Sequence, residues 1–514
     1  MRGVSTLTTR ERIERGDWQT PAALADAVLD RVNASCRRRW KTVIEPTCGQ
    51  GTLLVAAAKR FPQASLRGFD INDAYAASAR RLLQALAPAR ARVSVADFFT
   101  TDWAEQVADL EAPILVLGNP PWVTSAQLGA ISSTNLPGKE NRGRHIGLDA
   151  ITGKSNFDVS EWMIVRLLEA LEGRDATLAM LCKSAVARRV VETVAARKLG
   201  VTPVGLWRID AAQHFDASVS AVLLVAQTSR REARVSRRRA VWPVYSDLAA
   251  ERRESSIGVV EGVMVADAQR FARTKHLAGT SDPEWRSGVK HDCARIMELV
   301  RVAGSRGSGT RWVNGLDEHV DIEEELIHPL LKSSDVANDR AASSRGMIVT
   351  QRTLGADTRE LRRSAPRAWK YLSRHRALLE ARKSSIYDRQ PPFAIFGVGP
   401  YSFAPWKVAV SGLYKRSTFT VVGPHEGRPV LLDDTCYFLA FDDEVRARRA
   451  HNVLGSAVAL DFLTARIFWD AKRPITKSIL QTLDLAALER ELGVASDLQS
   501  QRRWHSPRRS SRSP

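Results

Sequence analysis

The chain has 514 residues, 44% of them hydrophobic, enough to bury full cores in roughly two to four domains. No apolar run approaches the ~18 residues of a membrane span, and the opening "MRGVSTLTTRERIERGDWQT" lacks the apolar stretch of a secretory signal, so a soluble, cytoplasmic protein is expected. Five scattered cysteines (Cys36, Cys48, Cys182, Cys293, Cys436) with no C-x-x-C pair indicate neither a disulfide framework nor a zinc site, and no metal is expected.

The formal charge of +19 suggests a polyanionic partner, but its distribution matters more than its sum. Residues 1–228 carry 28 basic and 23 acidic side chains, which leaves +14 of the +19 for residues 229–514. Within that half, "RREARVSRRR" (230–239) and "QRRWHSPRRSSRSP" (501–514) supply +10 of the +14. Both read as flexible, so charge alone implies no more than generic attraction to polyanions.

In chain order, the apolar runs "TVIEP", "LRGFDI", "RVSVADF", "ILVLGN", "TLAMLCK", "PVGLWRI" and "SAVLLVA" read as strands. They are nearly continuous in apolar residues, as expected for parallel strands covered on both faces, and helical patterns fall between most of them. A doubly wound α/β domain over 1–228 follows. One of its helices is well marked, with Asp158 as N-cap and Glu161 three residues later ahead of "WMIVRLLEAL". Residues 229–240 read as a basic linker. Beyond it, 241–495 forms a mixed α+β domain, with a basic helix near 366–383 and strand-like runs at "PFAIFGV", "TFTVV" and "CYFLAF". The low-complexity stretch 496–514 is expected to be a disordered basic tail.

After the first strand comes "TCGQGTLLVAAAKRF", with Gly49 and Gly51 in a tight strand-to-helix turn where a ligand can approach the backbone closely. A pyrophosphate-binding pattern would place a third glycine at position 54, which is Leu54, so a dinucleotide is disfavoured. Asp70, about 20 residues on at the end of the second strand, can accept both hydroxyls of a ribose. A nucleoside without a pyrophosphate fits both observations. Asp97 at the end of the third strand could then accept from an adenine amino group, with Phe98 beside the ring.

The fourth strand ends in "NPPW" (119–122), at the carboxyl edge where open parallel sheets bind their ligands. Two prolines alone would only terminate a strand. Asn119 and Trp122 add chemistry suited to methylating an exocyclic amino group whose lone pair is delocalised into an aromatic ring. The Asn119 side-chain oxygen and the Pro120 carbonyl, aimed at the two amino hydrogens, would draw the nitrogen toward tetrahedral geometry and expose its lone pair. Pro120 and Pro121 stiffen the loop, and Trp122 offers a flat face on which a base can stack for about 1–3 kcal/mol.

These stretches together resemble the S-adenosylmethionine-dependent amino-methyltransferases, and among them the adenine-N6 DNA methyltransferases of restriction-modification systems. The resemblance runs in order through residues 16–228 in the gamma arrangement, and implies a seven-stranded Rossmann-like methyltransferase domain followed by a target-recognition domain. "GDWQTP" resembles the N-terminal cofactor motif, which implies Thr20 and Pro21 near the methionine end. "EPTCGQG" resembles the main cofactor loop, with Glu45 facing the methionine amino group and Pro46, Gly49 and Gly51 around it. Asp70 and Ile71 would hold the ribose side, Asp97 and Phe98 the adenine, and Asn119 would border the cofactor as well as the substrate. "NPPW" resembles the catalytic motif, with Trp122 where many relatives carry Tyr or Phe. "HFDASVSAVLL" looks like the later motif, whose aromatic, here Phe215, lines the other side of the target base.

In the second half, "WRSGVKHD" (285–292), "PLLKSSD" (329–335), "VGPYSFAPWKVAVSG" (398–412) and "DAKRPITKSIL" (470–480) resemble target-recognition motifs, making Lys290, Lys332, Lys407, Lys472 and Arg473 candidate DNA contacts. The resemblance implies double-stranded DNA as substrate, an adenine rotated out of the stack, a separately encoded restriction endonuclease and a monomeric enzyme. The irregular stretch between Thr124 and Ser155 is expected to be a lid over that base. The same chemistry could serve an RNA base or a protein glutamine amide, and a non-catalytic DNA-specificity subunit is a further class. A fused nuclease is disfavoured, since the chain begins almost at the first cofactor-like motif.

Overall fold

A computed structural model describes residues 18–124, 158–229, 241–302, 311–340 and 344–494. The expected lid, the basic linker and the basic tail lie outside these residues, apart from their outermost positions. The chain divides into two units, 1–269 and 270–514.

The described strands of the first unit are β1 (Thr42–Glu45), β2 (Ser65–Asp70), β3 (Ala91–Val95), β4 (Ile114–Gly118), β5 (Ala176–Lys183), β6 (Val201–Ile209), β7 (Ala221–Thr228), β8 (Val241–Tyr245), β9 (Ser255–Val260) and β10 (Val263–Val265). The helices are α1 (Ala22–Cys36), α2 (Thr52–Arg60), α3 (Asp73–Leu86), α4 (Trp103–Ala108), α5 (Val159–Ala170), α6 (Ser184–Arg197) and α7 (Ala211–Phe215). All ten strands form one sheet, ordered β10-β9-β8-β6-β7-β5-β4-β1-β2-β3. Its centre is buried on both faces: every residue of β1 and β4 is buried, and in β5 and β7 all but one are. That burial is why these runs are continuously apolar in sequence rather than alternating.

The seven strands expected from sequence are all present, with two corrections. First, β7 is antiparallel to both β5 and β6. Only 11 residues separate β6 from β7, shorter than the dozen or more of a parallel crossover, and α7 is a single short turn within them. Second, the sheet has ten strands, so the first unit does not end at 228. β8 pairs parallel with β6, and Tyr245 stacks flat on Trp207 at 4.7 Å and 4°. Arg31 from α1 donates to the Leu248 carbonyl at 2.6 Å and lies over the same indole. Residues 241–265 therefore belong to this sheet rather than to the second unit.

Asp158 caps α5 by accepting from Ser160 N at 3.2 Å. Glu161 does not complete a capping box; it is buried and pairs with Arg189 of α6.

The second unit holds β11 (Arg286–Ser287), β12 (Glu298–Val302), β13 (Arg311–Asn314), β14 (His319–Val320), β15 (Ile327–Leu331), β16 (Arg345–Ile348), β17 (Trp406–Ser411), β18 (Phe419–Val422), β19 (Leu431–Leu432) and β20 (Cys436–Phe441). They make a four-stranded antiparallel sheet, β11-β20-β17-β18, and a mixed six-stranded sheet, β14-β13-β12-β16-β15-β19. "TFTVV" and "CYFLAF" are strands, whereas "PFAIFGV" forms only an isolated bridge, Phe396 to Lys290. Phe393 and Gly397 adopt positive φ (64° and 68°), which breaks any extended run between them. The basic helix is two pieces, Pro366–Arg374 and Arg376–Glu380.

Candidate active site

At the carboxyl ends of the central strands a cavity of about 430 Å³ opens, lined by Trp18, Gln19, Thr20, Glu45, Thr47, Cys48, Gly49, Thr52, Leu53, Asp70, Ile71, Asn72, Asp73, Tyr75, Asn119 and Pro121. It sits where β1 pairs with β2 on one side and β4 on the other, the point at which strand order reverses and the loops diverge. Its volume lies within the roughly 300–1,000 Å³ of small-molecule sites.

Asp70 joins the two loops that frame the cavity. One carboxylate oxygen accepts from Gly49 N and the other from Asn72 N, both at 2.8 Å. Asn72 in turn caps α3 with its side chain, accepting from Ala74 N and Tyr75 N. The glycines serve the geometry in different ways. Gly49 (φ 50°) lies against Gln19, whose side chain also accepts from Gln50 N at 3.3 Å. Gly51 (φ 88°) caps α2 and does not line the cavity; a Cβ there would meet Ala79 of α3 at 2.8 Å, so this glycine permits close helix packing.

Glu45 ends β1 with 3% exposure, and its Oε2 is buried without a hydrogen-bond partner. Burial, reinforced by the Asp70 carboxylate, pushes its pKa well above the carboxylate range. The same burial raises the thiol of Cys48, which makes it an unreactive wall residue rather than a nucleophile.

Asn119 is held by its nitrogen, which donates to the Trp18 carbonyl at 2.8 Å and to Thr20 Oγ1 at 3.3 Å. Its Oδ1 is left buried with no partner. A buried acceptor without a donor costs about 1–3 kcal/mol.

Of the residues expected at the site, Thr20, Glu45, Gly49, Asp70, Ile71, Asn119 and Pro121 line the cavity, whereas Pro21, Pro46, Gly51, Asp97, Phe98, Pro120, Trp122 and Phe215 do not. Asp97 is half-buried and accepts from Phe99 N at 2.9 Å. Phe98 is buried in an aromatic cluster, 4.7 Å from Trp103 and 6.0 Å from Trp162. Trp122 and Phe215 are both buried and meet edge to face at 5.0 Å and 67°, so a base could enter between them only if one ring moved. Sequence reading missed Trp18, Gln19, Thr47, Cys48, Thr52, Leu53, Asn72, Asp73 and Tyr75. The first six stand inside the two cofactor-like stretches, and the last three follow Asp70 into the first turn of α3.

In the second unit, four of the five candidate DNA contacts reach the surface. Lys290 pairs with Asp292 at 3.3 Å, Lys332 with Glu298 at 2.6 Å and Arg473 with Asp434 at 3.4 Å, while Lys472 is exposed. Lys407 is a correction. It is 1% exposed within β17, donates to the Ala404 carbonyl at 2.6 Å, and has its pKa brought down to about 7 by burial, so it cannot present a charge to a phosphate. Both faces of β17 are covered, and the aliphatic stem of the lysine packs as core.

No protein-family model matches the sequence. Against characterised proteins, the chain is 39% identical over 482 residues to the type II methyltransferase M.NspV of a Nostoc species, covering 93% of this chain and 98% of that protein. The chain belongs to the type II methyltransferases, the DNA-modifying enzymes of restriction-modification systems. A shorter match, 32% over 109 residues, joins 21% of this methyltransferase to 22% of an uncharacterized Mycoplasma pneumoniae protein. Among solved structures, the type IIL restriction-modification enzyme MmeI, determined in complex with DNA, superposes with a TM-score of 0.55 at 12% identity over 93% of this methyltransferase and 69% of that chain, a likeness of fold. Among the described residues no helix is long and apolar enough to cross a membrane, and no group of three or more His, Cys, Asp or Glu is gathered as a metal site.

Proposed function

We propose that this methyltransferase moves a methyl group from S-adenosylmethionine to N6 of an adenine turned out of duplex DNA. The observation that carries the reading is Asn119: it lines the cavity, its nitrogen is tied back to Trp18 and Thr20, and its buried oxygen has no partner, which suits an acceptor for an amino hydrogen. The residues present fit the cofactor. The Glu45 carboxylate, whose Oε2 has no partner, suits an α-ammonium group, Asp70 lines the same cavity with a carboxylate suited to ribose hydroxyls, and Ile71, 53% exposed at the cavity, offers an apolar face to a purine. When bound, S-adenosylmethionine supplies an electrophilic methyl on a sulfonium.

The chain's own residues then do the positioning. Asn119 Oδ1 and the Pro120 carbonyl accept the two amino hydrogens and hold the N6 lone pair toward the methyl, and after transfer the cationic amine loses one proton to water. No covalent enzyme intermediate and no strong base are required. Trp122 or Phe215 shifts to receive the base, and Asp97 holds the cofactor adenine after a movement of its loop. Lys290, Lys332, Lys472 and Arg473 contact DNA phosphates in exchange for their intramolecular partners where they have them. A monomeric, cytoplasmic enzyme with a separately encoded endonuclease completes the reading.

The test is incubation with unmethylated DNA and isotopically labelled cofactor, digestion to nucleosides and mass spectrometry. Labelled N6-methyladenine is the expected product; N4-methylcytosine would overturn the base assignment, and label in RNA or protein amides but not DNA would overturn the substrate.

A further inference from the structure

β4 stops pairing with β5 at Gly118 opposite Met180, yet β5 runs three residues further, to Lys183. Across that gap Asn119–Trp122 leaves the sheet, and Pro120 and Pro121 have no N–H with which to continue the ladder. Side chains take over. The Trp122 indole Nε1 donates to the Leu181 carbonyl at 3.4 Å, and Lys183 Nζ donates to the Trp122 carbonyl at 2.7 Å. The same ammonium donates to Asp158 Oδ2 at 2.7 Å, while Asp158 Oδ1 accepts from Ser160 Oγ at 2.6 Å at the start of α5. Thr124 and Asp158 form an antiparallel bridge, and Val159 N donates to the Val123 carbonyl at 2.9 Å. One lysine thus ties together the end of β5, the "NPPW" turn and the first turn of α5. Asp158 is 3% exposed and Lys183 about one-fifth, so this ion pair is shielded from water and stronger than a surface pair.

We infer that Lys183 is a positioning residue for methyl transfer, clamping the Trp122 carbonyl so that the Asn119 and Pro120 acceptors keep their aim. This rests on reading Asn119–Trp122 as the transfer site. Lys183 does not line the cavity, so the clamp acts on the turn and leaves cofactor binding alone. Misplacing acceptors by about 1 Å costs on the order of a hundredfold in rate, which sets the scale.

The experiment compares Lys183→Met, Lys183→Arg, Asp158→Asn and Asn119→Ala by single-turnover methylation of DNA and by equilibrium binding of S-adenosylmethionine. Lys183→Met is expected to lower the transfer rate by about 10- to 100-fold with cofactor affinity within about twofold, and Lys183→Arg, which can still donate, to restore most of it. Asp158→Asn keeps a capping oxygen but loses the charge, and gives the same reading if Lys183→Met does not fold. A wild-type rate in Lys183→Met, or no recovery in Lys183→Arg, overturns the clamp while an inactive Asn119→Ala leaves the transfer site standing. A wild-type rate in Asn119→Ala overturns both.

Discussion

The cavity of the first unit and the surface of the second handle charge and polarity in opposite ways. Around the cavity, two buried oxygens, Glu45 Oε2 and Asn119 Oδ1, have no partner. On the second unit, Lys290, Lys332 and Arg473 each already hold a carboxylate. An orphaned buried acceptor carries a desolvation cost that a ligand removes on binding, so a few atoms hold most of the effect. A paired surface cation must exchange one partner for another, and the net gain per residue is small. Substitutions should therefore act steeply in the first unit and shallowly in the second.

Asn119→Ala tests the steep side most directly: methyl transfer should fall on the order of a hundredfold to a thousandfold, as when one oxyanion donor is lost, with cofactor affinity measured by titration little changed. Glu45→Gln should weaken S-adenosylmethionine by about 2 kcal/mol or more, since it removes one charge of a desolvated pair. It also has a stability signature in the ligand-free protein. The folded pKa of Glu45 lies above its unfolded value, so its contribution is full below the unfolded pKa and is lost as pH rises through the folded one. Urea midpoints of Glu45→Gln should therefore gain on wild type as pH rises.

Lys407→Met would sharpen the contrast within the second unit. With a folded pKa of about 7 against an ordinary 10.5, the unfolded chain binds the extra proton between those values, so Lys407 makes stability rise with pH across that window and its penalty is constant below it. Lys407→Met should flatten that slope and leave DNA affinity unchanged; a loss of affinity without a loss of folding would return Lys407 to the interface. The smallest effect is expected for Lys472→Ala, which should reduce the slope of log affinity against log salt by about one, uniformly across DNA sequences.

Much of the first unit was legible because its signals are local. A continuously apolar run marks a strand buried on both faces, and Asn-Pro-Pro-Trp marks where one ends. What the sequence hid depends on contacts between distant segments. Residues 241–245 alternate in burial and carry Pro243, features of a peripheral strand, and nothing local announces that Tyr245 stacks on Trp207. Lys407 was misread for a related reason: it was placed by resemblance of its stretch to a target-recognition motif, and nothing local shows that both faces of its strand are covered. Asp97 and Phe98 were placed by their position at the end of the third strand, and their neighbours, Phe99 N and the two tryptophans, were not deducible from spacing. Lys183 drew no notice because its partners are a backbone carbonyl and a carboxylate 25 residues upstream, which no local side-chain pattern records.

The three-strand extension bears on how such enzymes could be recombined. β6 is an interior strand only because β8 covers it. A chimera joined at 228 or 240 would strip that cover, leaving Trp207 bare and a row of unpaired backbone groups open to sticking to other chains. A junction after Gln269 keeps the sheet whole, so a unit exchanged between relatives begins some thirty residues later than composition alone would place it.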